Sequence, residues 1–233
     1  GDYLVATVMR VYGYQLLVDA FGEVPYSEAL DVSKLAPKYD EGKDIYAGII
    51  GELDDALAKV SSSDKASDNM LFSSSSDINN WIKFANALKL RLLMRESGVA
   101  DVQSQLSALV SQNNFPTSDI GFVNCWTNQA GLDNPVCVRG DVGTGRTIEI
   151  CAHMALTTTM MDVNDGRLPA IFNKSVKYGN YEGDFIDEQQ SKEIDAGYFG
   201  KKADKDQENT FAEIKITYDT PVYLITVAET EFF

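Results

Sequence analysis

Apolar residues recur at helical spacing through roughly the first 112 positions, and the spacing fails after that. From about Tyr3 to Asp19, Leu, Val, Met and Tyr occupy most sides of a helical wheel, which predicts a helix buried on several faces. It ends near Phe21-Gly22, with Gly22 suited to the closing position. Glu23–Tyr26 reads as extended loop, because a residue before proline is pushed out of helical geometry. Between Asp44 and Val60, residues Ile45, Ile49, Leu53, Ala56 and Val60 share one arc. Tyr46, Ile50 and Leu57 flank that arc, and Glu52, Asp54, Asp55 and Lys59 complete a wet face, so this helix is amphipathic.

Two serine runs, Ser61–Ser63 and Ser73–Ser76, bracket a polar connection broken by Met70-Leu-Phe72. Asp77 is a good N-cap for a third helix reaching Arg95. Its main stripe is Ile78, Trp81, Phe84, Ala85, Leu88 and Leu92, yet Leu90 and Met94 fall on the opposite side, with Ile82 and Leu93 between. A helix apolar on opposing sides is covered from both, as in the interior of a stacked helical array. Arg91 and Arg95, one turn apart at the edge of the stripe, need carboxylate or carbonyl partners wherever they are buried. Trp81 and Asn86 read as core packing and core hydrogen bonding.

A fourth helix is predicted over about Val99–Gln112. Residues 113–146, dotted with Gly, Asn and Pro, read as a long loop region with short strands at most. A fifth helix is expected from about Thr147 to Val163, weakened by its β-branched threonines. Residues 173–210 are polar, charged and glycine-dotted; Phe211–Tyr218 alternates like a strand; Pro221 opens a last helix to Phe233. The fold class is therefore mainly α, with helical pairs of tetratricopeptide type, long irregular loops and a few short strands. The pairs follow one another at irregular intervals and meet no repeat consensus.

Charge narrows the functions. The net charge of −15 repels phosphate backbones and anionic lipid surfaces, which argues against nucleic-acid binding and direct membrane adsorption. No apolar run reaches the ~20 residues of a membrane-spanning helix, and no signal peptide is visible. Both ends fall against helix-like sequence, so the chain is expected to be one domain of a longer protein, cut at both ends. Cys125, Cys137 and Cys151 are spaced by 12 and 14, which matches no zinc or thioredoxin pattern. Three unpaired, partly buried thiols are the preferred reading, with one disulfide as the alternative.

Catalytic motifs are weak. The single histidine, His153, lies in a predicted helix and reads as an ordinary helix residue. Gly140–Gly145 lacks the ending of a phosphate loop. Asp162-Val-Asn-Asp-Gly166 begins like a calcium loop, but Gly166, Arg167 and Asn173 stand where its fifth, sixth and twelfth positions need other residues. It reads as a turn ending the preceding helix. Carboxylate pairs such as Asp184 with Asp187 or with Glu182 would suit glycoside hydrolysis, but arise by chance in so acidic a chain. More informative are aromatics in irregular, polar stretches: Trp126, Tyr178, Tyr181, Phe185, Tyr198 and Phe199. Such rings stack on the apolar face of a sugar, while flanking amides and carboxylates bond its hydroxyls. The plainer alternative is that they pin the loops. The candidate ligand contacts are Trp126, Tyr178, Tyr181, Asp184 and Tyr198.

Four blocks carry a family resemblance. They are Asp19-Ala-Phe-Gly-Glu-Val-Pro-Tyr-Ser-Glu-Ala-Leu30 with Pro37-Lys-Tyr-Asp40 and Ile45-Tyr46; Trp81–Arg95; Asp165-Gly-Arg-Leu-Pro169; and Pro221–Phe233. Together they resemble the SusD/RagB-like outer-membrane nutrient-binding lipoproteins. Two features depart from the family: Gly166 stands where it usually has proline, and residues 173–210 match no pattern of it. The resemblance implies a helical scaffold whose loops capture a glycan or other nutrient without catalysis. No cofactor and no metal ligand are assigned; the resemblance implies a SusC-like TonB-dependent transporter as partner, and an outer-membrane, cell-surface location through an N-terminal lipid anchor outside this chain. A helical-repeat module that binds protein, with no sugar site, is the alternative.

Overall fold

The computed structural model describes residues 1–67, 71–72, 76–123, 125–127, 154–172, 175–178, 193–197 and 221–232, with 154–155, 175–178 and 193–197 described by their backbone. In chain order the elements are α1 Asp2–Phe21, α2 Gly42–Lys59, α3 Ile78–Glu96, α4 Gln103–Ser111, β1 Ile120–Phe122, α5 Met154–Asp162, α6 Leu168–Ile171, β2 Ser175–Tyr178, β3 Glu193–Gly197, β4 Val222–Ile225 and α7 Val227–Phe232. They divide into two compact units, Gly1–Val123 with Pro221–Phe233, and Asn124–Thr220.

The first unit is the mainly helical scaffold. α1 packs on α2, α3 on both, and α4 on α3. Its core runs from Leu4 and Val8 through Ile45, Ile49 and Leu53 to Ile78, Phe84, Leu88, Leu92 and Ile225. α3 is buried on opposing sides as its sequence predicts: Leu90 opposite the stripe and Leu93 on the flank are as enclosed as Phe84 and Leu88, while Met94 is partly buried. Trp81 stacks on Phe84 and meets Phe72 edge-on. The Asp77 carboxylate accepts the Asn79 N–H and caps the helix.

Three sequence expectations change. α1 buries a single stripe, Leu4, Thr7, Val8, Val11, Gln15 and Val18, while Tyr3, Leu16, Leu17 and Phe21 stay exposed. Its apolar composition overstates its burial, because among the described residues α2 and α3 cover one side of it. α4 begins at Gln103 instead of Val99, since Val99 and Ala100 both donate to Glu96 O in the turn that closes α3. The last segment is not one helix. Val222–Ile225 forms a strand antiparallel to β1, pairing Ile120 with Ile225, Gly121 with Tyr223 and Phe122 with Val222, around a bulge. β-branched and aromatic residues suit that pairing, which overrides the helix-start signal of Pro221. The helix starts only after Thr226, whose hydroxyl accepts the Glu229 N–H. Gly121 has a specific reason: a Cβ there would lie 2.4 Å from Val222 O.

In the second unit, α5 packs against α6 and β2 pairs antiparallel with β3. Met160, Leu168 and Phe172 are buried there. The stretch Asp162–Gly166 ends α5 in a turn, as expected. Asn164 takes a positive φ of 50°, Asp165 N–H donates to Met160 O, and Pro169 sits in the first turn of α6. Asp165 accepts the Arg167 N–H at 2.9 Å and its guanidinium at 2.6 Å. Those bonds hold the Asp165 carboxyl at about 2, below the ordinary range. Tyr178 ends strand β2 rather than standing in a loop, because Ser175-Val-Lys-Tyr178 alternates and pairs with β3. Cys125 is exposed with a free thiol, not partly buried, because it lies in irregular chain beyond β1. Cys137, Cys151, His153, the run Gly140–Gly145, the first part of the predicted fifth helix and the expected strand Phe211–Tyr218 lie outside the described residues.

Candidate functional site

The scaffold unit holds a groove of about 460 Å³ between the start of α3 and the chain leading into β1. Its position follows from two anchors. Asn86, buried within α3, donates through Nδ2 to Asn114 O at 2.9 Å. Phe115 then packs on the core, and Pro116 and Ile120 are buried. The intervening Thr117, Ser118 and Asp119 therefore stand exposed as one wall. The opposite wall is Asn80 and Lys83, one turn apart on α3, with Leu71 and Phe72 completing it.

The wall chemistry is mixed. Phe72, Leu71, Pro116 and Val123 give apolar surface, and the amide, hydroxyls, ammonium and carboxylate give hydrogen-bonding groups of both senses. Asp119 Oδ1 accepts the Val227 N–H at 2.8 Å, which fixes this wall to the start of α7. Phe72 is held in place by Trp81. Among the described residues of this set no nucleophile is paired with a positioned base, and the groups present can hold a polyhydroxylated, partly apolar ligand.

A second cleft of about 520 Å³ opens beside Val18, Tyr46 and Arg95. There Asp19 already accepts from Gln15 Nε2 at 2.5 Å, from Tyr46 Oη at 2.6 Å and from Arg95. These bonds tie three helices together, so its central polar groups serve the scaffold.

Of the residues expected to touch ligand, Trp126 is half-buried in the second unit with its indole nitrogen covered. Tyr178 is placed by its strand backbone alone, and Tyr181, Asp184 and Tyr198 lie outside the described residues, as do Glu182, Phe185, Asp187 and Phe199. Sequence reasoning missed Phe72, Asn80, Lys83 and Thr117–Asp119. Asn80 and Lys83 had a readable signal: a polar i, i+3 pair opening a helix that is otherwise buried on two sides. As expected, Trp81 and Asn86 serve the core, with Trp81 only 3% exposed.

Helical pairs closed by a small antiparallel strand pair, with a groove at the loop that enters it, describe a ligand-holding helical scaffold. Comparison with known proteins gives that class a family. The family model described as "Starch-binding associating with outer membrane" matches residues 2–233. The chain belongs to the SusD-like family. A SusD-like protein from Bacteroides thetaiotaomicron VPI-5482 matches at 24% identity and a TM-score of 0.73, covering 100% of this chain and 47% of that one. A chitin-binding SusD homologue from Flavobacterium johnsoniae matches at 21% identity and a TM-score of 0.72, covering 99% and 46%. A SusD homologue from Bacteroides uniformis ATCC 8492 matches at 22% and 0.68, covering 99% and 46%. At these identities the likeness concerns the fold. The chain spans about half the length of these structures. No curated protein matches the chain.

Proposed function

We propose that this chain belongs to a cell-surface protein that binds glycan without turning it over and passes it to a TonB-dependent outer-membrane transporter. The observation carrying this reading is the family match along residues 2–233, described as starch-binding at the outer membrane. The chitin-binding relative supports it, and the groove beside Asn80 and Lys83 gives the scaffold unit a place for a sugar chain. The family match runs through both units, which supports reading them as parts of one SusD-like domain. We assign further ligand contacts to Trp126, Tyr178, Tyr181, Asp184 and Tyr198 on their residue types. A lipid anchor outside this chain would hold the protein at the outer membrane.

Calorimetry of the full-length protein against a panel of oligosaccharides tests the reading. Micromolar binding of at least one, with no product formed from it, is expected. Peptide binding in the absence of any sugar binding would discard the glycan assignment, and turnover of the bound sugar would discard the non-catalytic one.

A protein-binding role has its own support. Residues 24–40 form a loop locked by hydrogen bonds: Asp40 accepts from Tyr26 N, Ser27 N and Ser27 Oγ, and Glu28 accepts from Lys38 N. This fixed loop displays Val32 at 97% and Leu35 at 99% exposure. Ordered, exposed aliphatics suit a protein contact. We place the transporter contact on the helical unit accordingly. A pull-down in which Val32→Asp and Leu35→Asp keep full transporter binding would contradict that placement.

A further inference from the structure

We propose that the groove at the start of α3 selects a glycan whose neutral backbone carries isolated anionic substituents, with the anion seated on Lys83. This rests on the glycan reading above and adds the class of sugar.

The first ground is the state of Lys83. Lys34, Lys38, Lys59 and Lys89 each stand within ion-pair distance of a carboxylate. Lys83 is partly buried in the groove wall and has no ion pair among the described residues. Lys43 and Lys65 also lack an ion pair among the described residues but are exposed, whereas Lys83 stands partly buried in the groove wall. The other charged group of the lining, Asp119, has one oxygen committed to the Val227 N–H. An incoming anion therefore finds an unpaired cation in the groove wall, with which it forms a charge-assisted hydrogen bond.

The second ground is the rest of the lining. Asn80, Thr117 and Ser118 are neutral and bond hydroxyls, and Phe72 and Pro116 give the apolar wall that a sugar ring packs on. Lys83 and Asp119 are the two charged groups among neutral ones, so the groove offers a single cation to a single anionic substituent. The third ground is the net charge of −15. Screening acts over about 8 Å at physiological salt, so a charge seated on Lys83 is governed by the groove. A uniformly charged polymer would set its other charges against the acidic surface and be repelled. Lysine is a point charge without the fork that reads carboxylate geometry, so a uronic acid and a sulfate ester are both admissible sources of the anion.

The test uses the full-length protein and an oligosaccharide array with matched neutral, singly uronated, singly sulfated and fully charged members. A preference of about tenfold for singly charged members over their neutral counterparts is expected. The uronated and sulfated arms tell the two sources apart. Lys83→Met should collapse that preference to within about twofold, and Lys83→Arg should keep it. A second measurement does not depend on the backbone sugar. With lysines reductively methylated with carbon-13, methyl β-D-glucuronide or a methyl glucoside sulfate should move the Lys83 signal, and methyl β-D-glucoside should not. Equal binding of neutral and charged members, or an unmoved Lys83 signal, overturns the inference and leaves the glycan reading standing. Preference for the fully charged members overturns it as well. Failure of every oligosaccharide to bind removes the glycan reading and this inference with it.

Discussion

Removing the charge of Glu229 should loosen the final segment of the scaffold far more than its sequence position suggests. Arg91, 8% exposed, donates from Nε to Glu229 Oε1 at 2.5 Å and from Nη2 to Oε2 at 2.6 Å. Nη2 also reaches Leu224 O at 2.7 Å, and Nη1 reaches Gln15 Oε1 at 3.4 Å. One guanidinium thus joins α1, α3, β4 and α7. Stripping one partner from a buried ion pair costs about 3–5 kcal/mol, because the remaining charge is left uncompensated. The Glu229 side chain is 26% exposed, so water replaces part of what Glu229→Gln removes, and the low end, about 3 kcal/mol, applies. At 1.4 kcal/mol per decade, that is about a hundredfold faster amide exchange in β4, if the segment opens as a local unit.

Hydrogen exchange followed by mass spectrometry or NMR reads this directly. The double variant Arg91→Met with Glu229→Leu removes both charges and keeps apolar volume. It should recover most of the loss, as replaced buried pairs do. Exchange of the β4 amides within threefold of the parent in Glu229→Gln would refute the reasoning. So would a double variant no better than the worse single one, since the cost would then not come from an uncompensated charge.

Other outcomes follow from single contacts. Asn86→Ala leaves the part-buried Asn114 O without its donor; a loss of about 1 kcal/mol in urea unfolding is expected, with weakened sugar binding because the 116–119 wall loses its anchor. Gly121→Ala places a methyl 2.4 Å from Val222 O, so the β1–β4 pair must shift; a loss of about 1–3 kcal/mol and altered β4 amide shifts are expected, and a neutral result would contradict the packing. Asp40, held at about 2 by the Ser27 amide, with the Ser27 hydroxyl, the Tyr26 amide and Lys38 adding, stabilises the 24–40 loop above the unfolded carboxylate value near 4. Because its folded value is depressed, that contribution fades as pH falls from about 4 through 2. Exchange at Tyr26 and Ser27 should rise over that window in the parent and stay flat in Asp40→Asn.

The elements that sequence conveyed well are those whose periodicity and packing agree. α2 buries Ile45, Ile49, Leu53 and Ala56 of the arc its wheel predicts, with Val60 partly buried just past its end, and α3 is buried on opposing sides. α1 misled because its wheel is apolar all round, and composition does not say how many sides find a neighbour. β4 misled for a different reason. Four residues of Val, Tyr, Leu and Ile fit a helix or a strand equally until a partner strand is known, and that partner lies about a hundred residues upstream. The groove was hidden for the same cause. Asn80 and Lys83 become wall residues only once Asn86 has pinned residues 114–119 beside them, and no local pattern encodes that long-range bond.

The topology also explains why three of the four recognisable blocks belong to the scaffold unit. The chain leaves that unit after Val123 and re-enters it at Pro221, on strands whose ends are paired at Phe122 and Val222. Three features of the scaffold fix this exit: the glycine at 121 that lets the strands approach, the Val227 N–H on Asp119, and the Arg91–Glu229 pair. A segment inserted between two strands locked in this way can change length and composition while the helical core stays packed, because among the described residues no core residue of the scaffold comes from it. The scaffold residues are constrained by one another and so carry a readable pattern. In the second unit, Asp165–Arg167 is a turn that closes on its own side chains. On the proposed reading, change in ligand preference should therefore accumulate in that insert and at the solvent-facing positions of the groove, such as Asn80, Lys83 and Thr117, while Asn86, Arg91 and Gly121 stay fixed.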